Sequence, residues 1–164
     1  MPSRSLTIEQ VLGLLAETPV RLEALTADLA PAQLHSAPSD EWSANDVLAH
    51  LRACADVWGG CIAAIIAEER PTLRAVNPRT WITQTDYREL AFQPSLRAFA
   101  AQRAELLAVL EPLPLDGWSR AATVTGAGKV LERTVLFYAR WLAEHERPHV
   151  KQIARHVATM SMEQ

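Results

Sequence analysis

Lysine is almost missing from this chain. Only Lys129 and Lys151 occur in 164 residues, the arginines are scattered, and the net charge is −3. With no basic stripe or tail there is no electrostatic footprint for a nucleic acid, and no such partner is expected. Long apolar runs are missing too. The longest, Cys61 to Ala67, is too short to cross a bilayer, and the N-terminal MPSRSLTIEQ has no apolar signal core. A cytoplasmic protein with no membrane partner is therefore expected. Cysteine is scarce: Cys54 and Cys61 lie two turns apart on one helical segment, beyond disulfide reach, and read as reduced thiols. Nowhere does a strand-like alternation of period two persist, and no repeat is visible.

What remains is apolar and helical. Hydrophobic residues make up 49% of the chain, enough for a core of one domain spanning residues 1–164. Residues 7–29 read as a first helix, opened by a Thr7/Gln10 capping box and carrying Pro19, where a kink or local break is expected. Residues 30–42 connect, with a short helical turn near Ala32–Leu34. Residues 43–69 form a second helix with Ser43 and Asp46 as its start signal. Its inward stripe runs Val47, His50/Leu51, Cys54, Val57/Trp58, Cys61, Ile65; Gly59-Gly60 weakens it, and close helix packing there is one explanation. Residues 70–92 form a long crossover with a short helix around 85–91. A third helix covers 94–111, ended by Pro112 and Pro114. Residues 112–129 are a loop, and a fourth helix covers 130–159. This pattern predicts an all-α fold: a four-helix bundle with its long crossover between helices two and three.

Three histidines interrupt the inward stripes. On the fourth helix the stripe reads Leu131, Val135, Tyr138, Leu142, His145, His149, Ile153. His145 and His149 lie one helical turn apart, about 40° around the axis. His50 occupies a core face of the second helix. Imidazoles on a buried face need partners, because an unsatisfied buried polar group costs about 1–3 kcal/mol. Two core histidines bonded to neighbours would meet that need. A divalent transition metal (zinc, nickel or iron) held by His50, His145 and His149 would also meet it, and would leave a coordination position open, as in catalytic sites.

Glu41-Trp42-Ser43, followed by Val47-Leu48-Ala49-His50-Leu51, the turn Gly117-Trp118-Ser119-Arg120, and His145-Glu146-Arg147-Pro148-His149-Val150-Lys151-Gln152-Ile153 resemble the DinB/YfiT-like superfamily in order and spacing. The resemblance covers roughly residues 8–160. It implies a four-helix bundle, a homodimer, and a metal on His50, His145 and His149. Through its thiol-dependent members, low-molecular-weight-thiol S-transferases and a maleylpyruvate isomerase, it implies a small-molecule substrate and a thiol as candidate partner. No thiol-specificity motif matches here. A non-catalytic metal-binding stress-response module is the alternative. A third reading takes His145-Glu146-Arg147-Pro148-His149 as the H-E-x-x-H string of zinc hydrolases, with Glu146 as general base. Against it stand Pro148 inside the string and the downstream positions, where His156 and tail residue Glu163 make no convincing third ligand.

Several neighbours have a functional and a plain reading. Gln152 is placed to donate to a metal-bound water or simply to pack at the stripe's edge. Asp46 is a candidate to orient His50, although helix capping explains it equally well. Cys54 is a candidate fourth ligand but reads better as a small hydrophobe. Arg103 can hold an anionic substrate, with snorkelling to solvent the plainer expectation. Glu146 is expected at a surface or helix interface, Trp141 near the pocket, and His35 and His156 at the periphery.

Overall fold

The computed structural model describes residues 4–162. Both ends of the expected 1–164 domain, with Glu163, lie outside the described residues. Four long helices dominate: α1 (Ile8–Thr26), α3 (Ala44–Ala67), α5 (Phe92–Leu110) and α7 (Val135–Met162). Around the bundle the order is α1, α5, α3, α7, so each helix packs on two others and chain neighbours α1 and α3 face diagonally. Short helices α2 (Pro31–Leu34), α4 (Pro78–Trp81) and α6 (Leu115–Trp118) punctuate the connections.

Local sequence explains the starts. Thr7 and Ser43 each accept the amide of the residue three positions on, Gln10 and Asp46, whose side chains return the bond to the cap amide. Pro19 and Pro148 each lie inside a continuous helix, α1 and α7, so the expected break at Pro19 does not occur. In the crossover, the expected short helix at 85–91 is displaced. The helical turns are α4 and the 3-10 turn Ile82–Gln84 that follows it. Asn77 caps α4 through its side chain and Pro78 occupies the first helical position, where its missing N–H costs nothing.

A three-stranded sheet corrects the expectation that strands are missing. Strand β1 (Thr72–Arg74) pairs parallel to β2 (Ala121–Thr125), which pairs antiparallel to β3 (Leu131–Thr134). Gly126 and Gly128, both at φ +88°, lie between β2 and β3, in backbone that side chains rarely adopt. The fourth long helix accordingly starts at Val135, capped by Thr134, rather than near residue 130. Strands of three to five residues are too short to display a period-two pattern.

The core divides into two apolar halves. One gathers Leu15, Cys54, Leu110, Leu142 and Ala143 with the buried face of β2. The other gathers Leu22, Leu51, Phe99, Val150 and Ile153. Between them runs a polar layer of Thr18, His50, Arg103 and Glu146, all buried, beside His145 and His149, which are half-buried. Helix α3 has the length and apolar composition of a membrane span. Here it is a bundle helix that carries Asn45, Asp46, His50, Arg52 and Asp56 and packs against α7 and α5.

The Gly59-Gly60 pair does not mark close helix packing. A Cβ at either position would meet nothing within 4 Å, and both glycines border an open cleft of about 610 Å³ between α3 and α5.

Candidate metal centre

Helical geometry brings the three predicted histidines together. His50 projects from α3 and His145 and His149 from α7, and their candidate ligand atoms all lie within 4.8 Å of one another. The Nε2 atoms of His50 and His145 are 3.0 Å apart. Two nitrogens bound to one tetrahedral zinc, each at about 2.0–2.1 Å, would stand about 3.3 Å apart, so this separation is close to that of a shared ligand set.

The donor chemistry also fits a divalent ion. Burial first, then the neighbouring imidazoles, and then Arg79, push the pKa of His50 down to about 4. Burial, His149 and Arg79 push that of His145 down to about 4 as well. Both rings are therefore neutral at pH 7, with lone pairs available. His149 is oriented by Gln152, whose Oε1 lies 3.0 Å from His149 Nδ1. An acceptor there places the ring proton on Nδ1 and leaves Nε2 free for a metal. Gln152 thus acts on His149 through its carbonyl oxygen, and its amide nitrogen remains a separate donor.

The surroundings sort the other candidates. Asp46 is engaged in the capping box with Ser43 and not with His50. Cys54 Sγ is 3.6 Å from His50 Nε2, and burial above all pushes its thiol up to about 12. In the metal-free chain it stays protonated at pH 7, buried as a small hydrophobe would be. Trp42 and Trp58 flank the histidines. Trp42 packs on His50 and His149, with ring centroids 5.3 and 6.4 Å away, and Trp58 meets His145 edge-on at 5.1 Å. Trp141 does not line the triad. It packs behind Trp58 and is 47% exposed. His35 accepts the Phe92 amide, and His156 meets the Ser36 carbonyl at 3.1 Å.

Arg103 overturns the snorkelling expectation. Its guanidinium is 2% exposed, and it donates from both terminal nitrogens to the two carboxylate oxygens of Glu146 and from one of them to the Leu15 carbonyl at 2.8 Å. Glu146 is 1% exposed and occupied on both oxygens, so it is not poised as a free base beside the histidines. The protease reading loses its general base by this arrangement. Sequence spacing gave no hint of the pair, because its members lie on separate helices.

A cleft of about 820 Å³ opens against His149, Gln152 and Trp42, between residues 36–42 and the last turns of α7, with Arg155 and His156 on its wall. A small molecule entering there would reach the triad from the His149 side.

Comparison with known proteins follows the same lines. Residues 14–153 match the DinB superfamily. Among solved structures, YfiT from Bacillus subtilis, described as a probable metal-dependent hydrolase with an unusual four-helix bundle topology, is similar at a TM-score of 0.77 and 19% identity, over 98% of this chain and 93% of YfiT. No curated protein matches.

Proposed function

Because the chain belongs to the DinB superfamily, we propose that it is a metal-dependent enzyme acting on a small molecule, with His50, His145 and His149 holding one divalent transition metal. The carrying observation is three imidazole nitrogens within 4.8 Å on a half-buried face, two of them held neutral, with no carboxylate among them. When bound, a divalent metal on three protein ligands lowers the pKa of a water or small thiol in its open position. The chain's own groups do the rest. Gln152 fixes the His149 tautomer, Trp42 and Trp58 shield the imidazoles from water, and the Arg103–Glu146 pair ties α7 to the diagonally placed α5 across the core.

Cys54 is the thiol beside the triad, and burial raises its pKa in the metal-free chain, which disfavours it as the nucleophile. The attacking group is therefore a water, giving hydrolysis of the kind described for YfiT, or a small thiol, giving S-transfer to an electrophile. Assaying the metal-loaded protein with activated esters and, separately, with a small thiol plus an electrophilic acceptor distinguishes these outcomes. Activity in one assay should be lost in His149→Ala. Activity that survives His149→Ala would overturn the reading. No turnover in either assay, combined with a large loss of thermal stability on chelation, would favour the non-catalytic metal-binding module.

Gln152→Ala should weaken metal affinity about 10–100-fold while leaving one site per chain, since removing the partner of a ligating imidazole typically costs that much. Competition with a chromophoric chelator reads this. An unchanged affinity would show that Gln152 does not orient the ligand.

A further inference from the structure

From Val57 to Ala67, the second half of α3 carries no charged, amide or hydroxyl side chain. A surface helix normally sets charged residues opposite its apolar stripe, and a helix that is apolar all round belongs in an interior. Here only Ile62 and Ile65 are buried. Gly60, Ala63 and Ala67 are exposed, and the rest are half-buried. The crossover covers the outer face of the first half of α3, where Ile82 packs on Ala49 and Ala53. Its last anchor is Asp56, which accepts from Trp81 Nε1 at 3.0 Å and from the Tyr87 hydroxyl. Beyond Asp56, nothing among the described residues covers that face.

The uncovered face borders the 610 Å³ cleft, with Gly59, Gly60 and Ala63 on one wall and Leu106 and Val109 of α5 on the other. Adjacent glycines in mid-helix destabilise it relative to alanine. A Cβ at either would meet nothing, so no contact within the chain requires them. Missing side chains do let a second helix backbone come close. One chain thus holds both halves of a self-matching contact: a flat stretch on α3, and an apolar ridge on α5 where Val109 is 43% exposed. A two-fold contact between identical chains has this form. The charges agree. Arg52 lies at one end of the face, fixed over the Tyr87 ring at 3.9 Å and bonded to Ser95 Oγ at 2.9 Å. Glu68 and Glu69 lie exposed at the other end, and among the described residues none of the three forms an ion pair. Two α3 helices paired antiparallel about Gly59-Gly60 set each Arg52 beside the Ala67–Glu68 end of the other. Of the remaining charges at the cleft, Asp56 is held by its donors and Arg103 by Glu146, while Glu105 stands exposed on the α5 rim. A bilayer suits the face less well. Val57 to Ala67 spans about 16 Å of helix, roughly half the hydrocarbon thickness, and the inner side of the helix is committed to the bundle.

We propose that this face is the contact between two copies of the chain, an antiparallel pair of α3 helices crossing at Gly59-Gly60, with the Leu106–Val109 ridge of each copy packed over the α3 of the other. The glycine pair then serves packing between chains, which explains why it serves none within one. The proposal stands apart from the metal centre and holds whether or not a metal binds.

Sedimentation equilibrium of the full chain at micromolar concentration tests it. Wild type should sediment at about 36 kDa, twice the chain mass of 18.1 kDa. Gly60→Arg should raise the dimer Kd about a hundredfold or more. Its helical circular dichroism should be retained, because arginine favours helix over glycine and its Cβ has open space there. Val109→Arg should act likewise from α5. Val20→Arg, at a position 65% exposed on α1 across the bundle, should leave the dimer intact. Glu68→Arg/Glu69→Arg should weaken the dimer, and adding Arg52→Glu should restore it. A wild type that stays at 18.1 kDa would overturn the proposal. So would a dimer that Gly60→Arg and Val109→Arg leave within about twofold of wild-type affinity, or a charge swap that restores nothing. Monomeric wild type that floats with phosphatidylcholine/phosphatidylglycerol vesicles, and no longer does so as Gly60→Arg, would overturn it in favour of a bilayer surface.

Discussion

Arg103→Ala should lower the melting temperature by on the order of 10 °C. The guanidinium ties three helices at once, donating to Glu146 on α7 and to the Leu15 carbonyl on α1 from its own place on α5. Removing it strands the Glu146 carboxylate in a position 1% exposed to solvent. Breaking a buried pair this way costs about 3–5 kcal/mol, mostly the penalty of an uncompensated charge. For a chain of this length each kcal/mol shifts the melting point by about 2–4 °C. Glu146→Leu alone should be comparably damaging, because it strands the guanidinium.

The double variant Arg103→Met/Glu146→Leu should recover most of the loss, since apolar groups of similar volume remove both desolvation penalties together. A double-mutant cycle by thermal or urea denaturation reads the coupling. Single-variant losses under about 1 kcal/mol would mean that the polar layer is hydrated rather than buried. Glu146→Gln also separates the roles assigned to that residue. It should cost stability while sparing any turnover, whereas a zinc-protease base would lose its turnover.

Metal binding should raise the melting temperature of the chelated protein by about 10 °C at a thousandfold excess over Kd. A ligand that binds only the folded state contributes about 4 kcal/mol at that excess, and the conversion to temperature is the one used above. The ion would join α3 to α7 through His50, His145 and His149, so the effect should be global. His50→Ala breaks the link across helices and should abolish most of the shift. An equal shift in His50→Ala and wild type would place the metal elsewhere.

Asp56→Ala gives a smaller effect with a local readout. It leaves Trp81, Tyr87 and Gln102 without their shared acceptor and releases the crossover from the middle of α3. Limited proteolysis between residues 77 and 90 should accelerate, with a stability loss of about 1–3 kcal/mol. Unchanged cleavage would show that the crossover is held by its other contacts with α3, the Asn45 bonds to the Arg88 and Leu90 carbonyls and the packing on Ala49 and Ala53.

The triad was legible in the sequence because helical periodicity does the work. His145 and His149 continue the stripe that Tyr138 and Leu142 begin, and His50 lies on the inward face of α3, so each direction follows from spacing. Bundle and crossover followed in the same way from four long apolar periods. The Arg103–Glu146 pair stayed hidden for a physical reason. Arg103 does fall on the α5 stripe between Phe99 and Leu110, but a long arginine at such a position usually reaches solvent. The partners that let it stay buried, Glu146 and the Leu15 carbonyl, lie on helices distant in sequence. Asn77-Pro78 carried a helix-start signal for α4 that outweighs the weaker pattern at 85–91. The small sheet depends on pairing between segments some 50 residues apart, β1 with β2, which no local window contains.

The central claim is one metal on three histidines, and elemental analysis of untagged protein tests it most directly. Wild type and the His145→Ala/His149→Ala variant should be compared after equal metal reconstitution and removal of excess. About one equivalent of zinc, nickel or iron per chain is expected in wild type, with almost none in the variant. Equal content in the two, or none in either, would contradict the claim and leave His50, His145 and His149 as polar members of a bundle core.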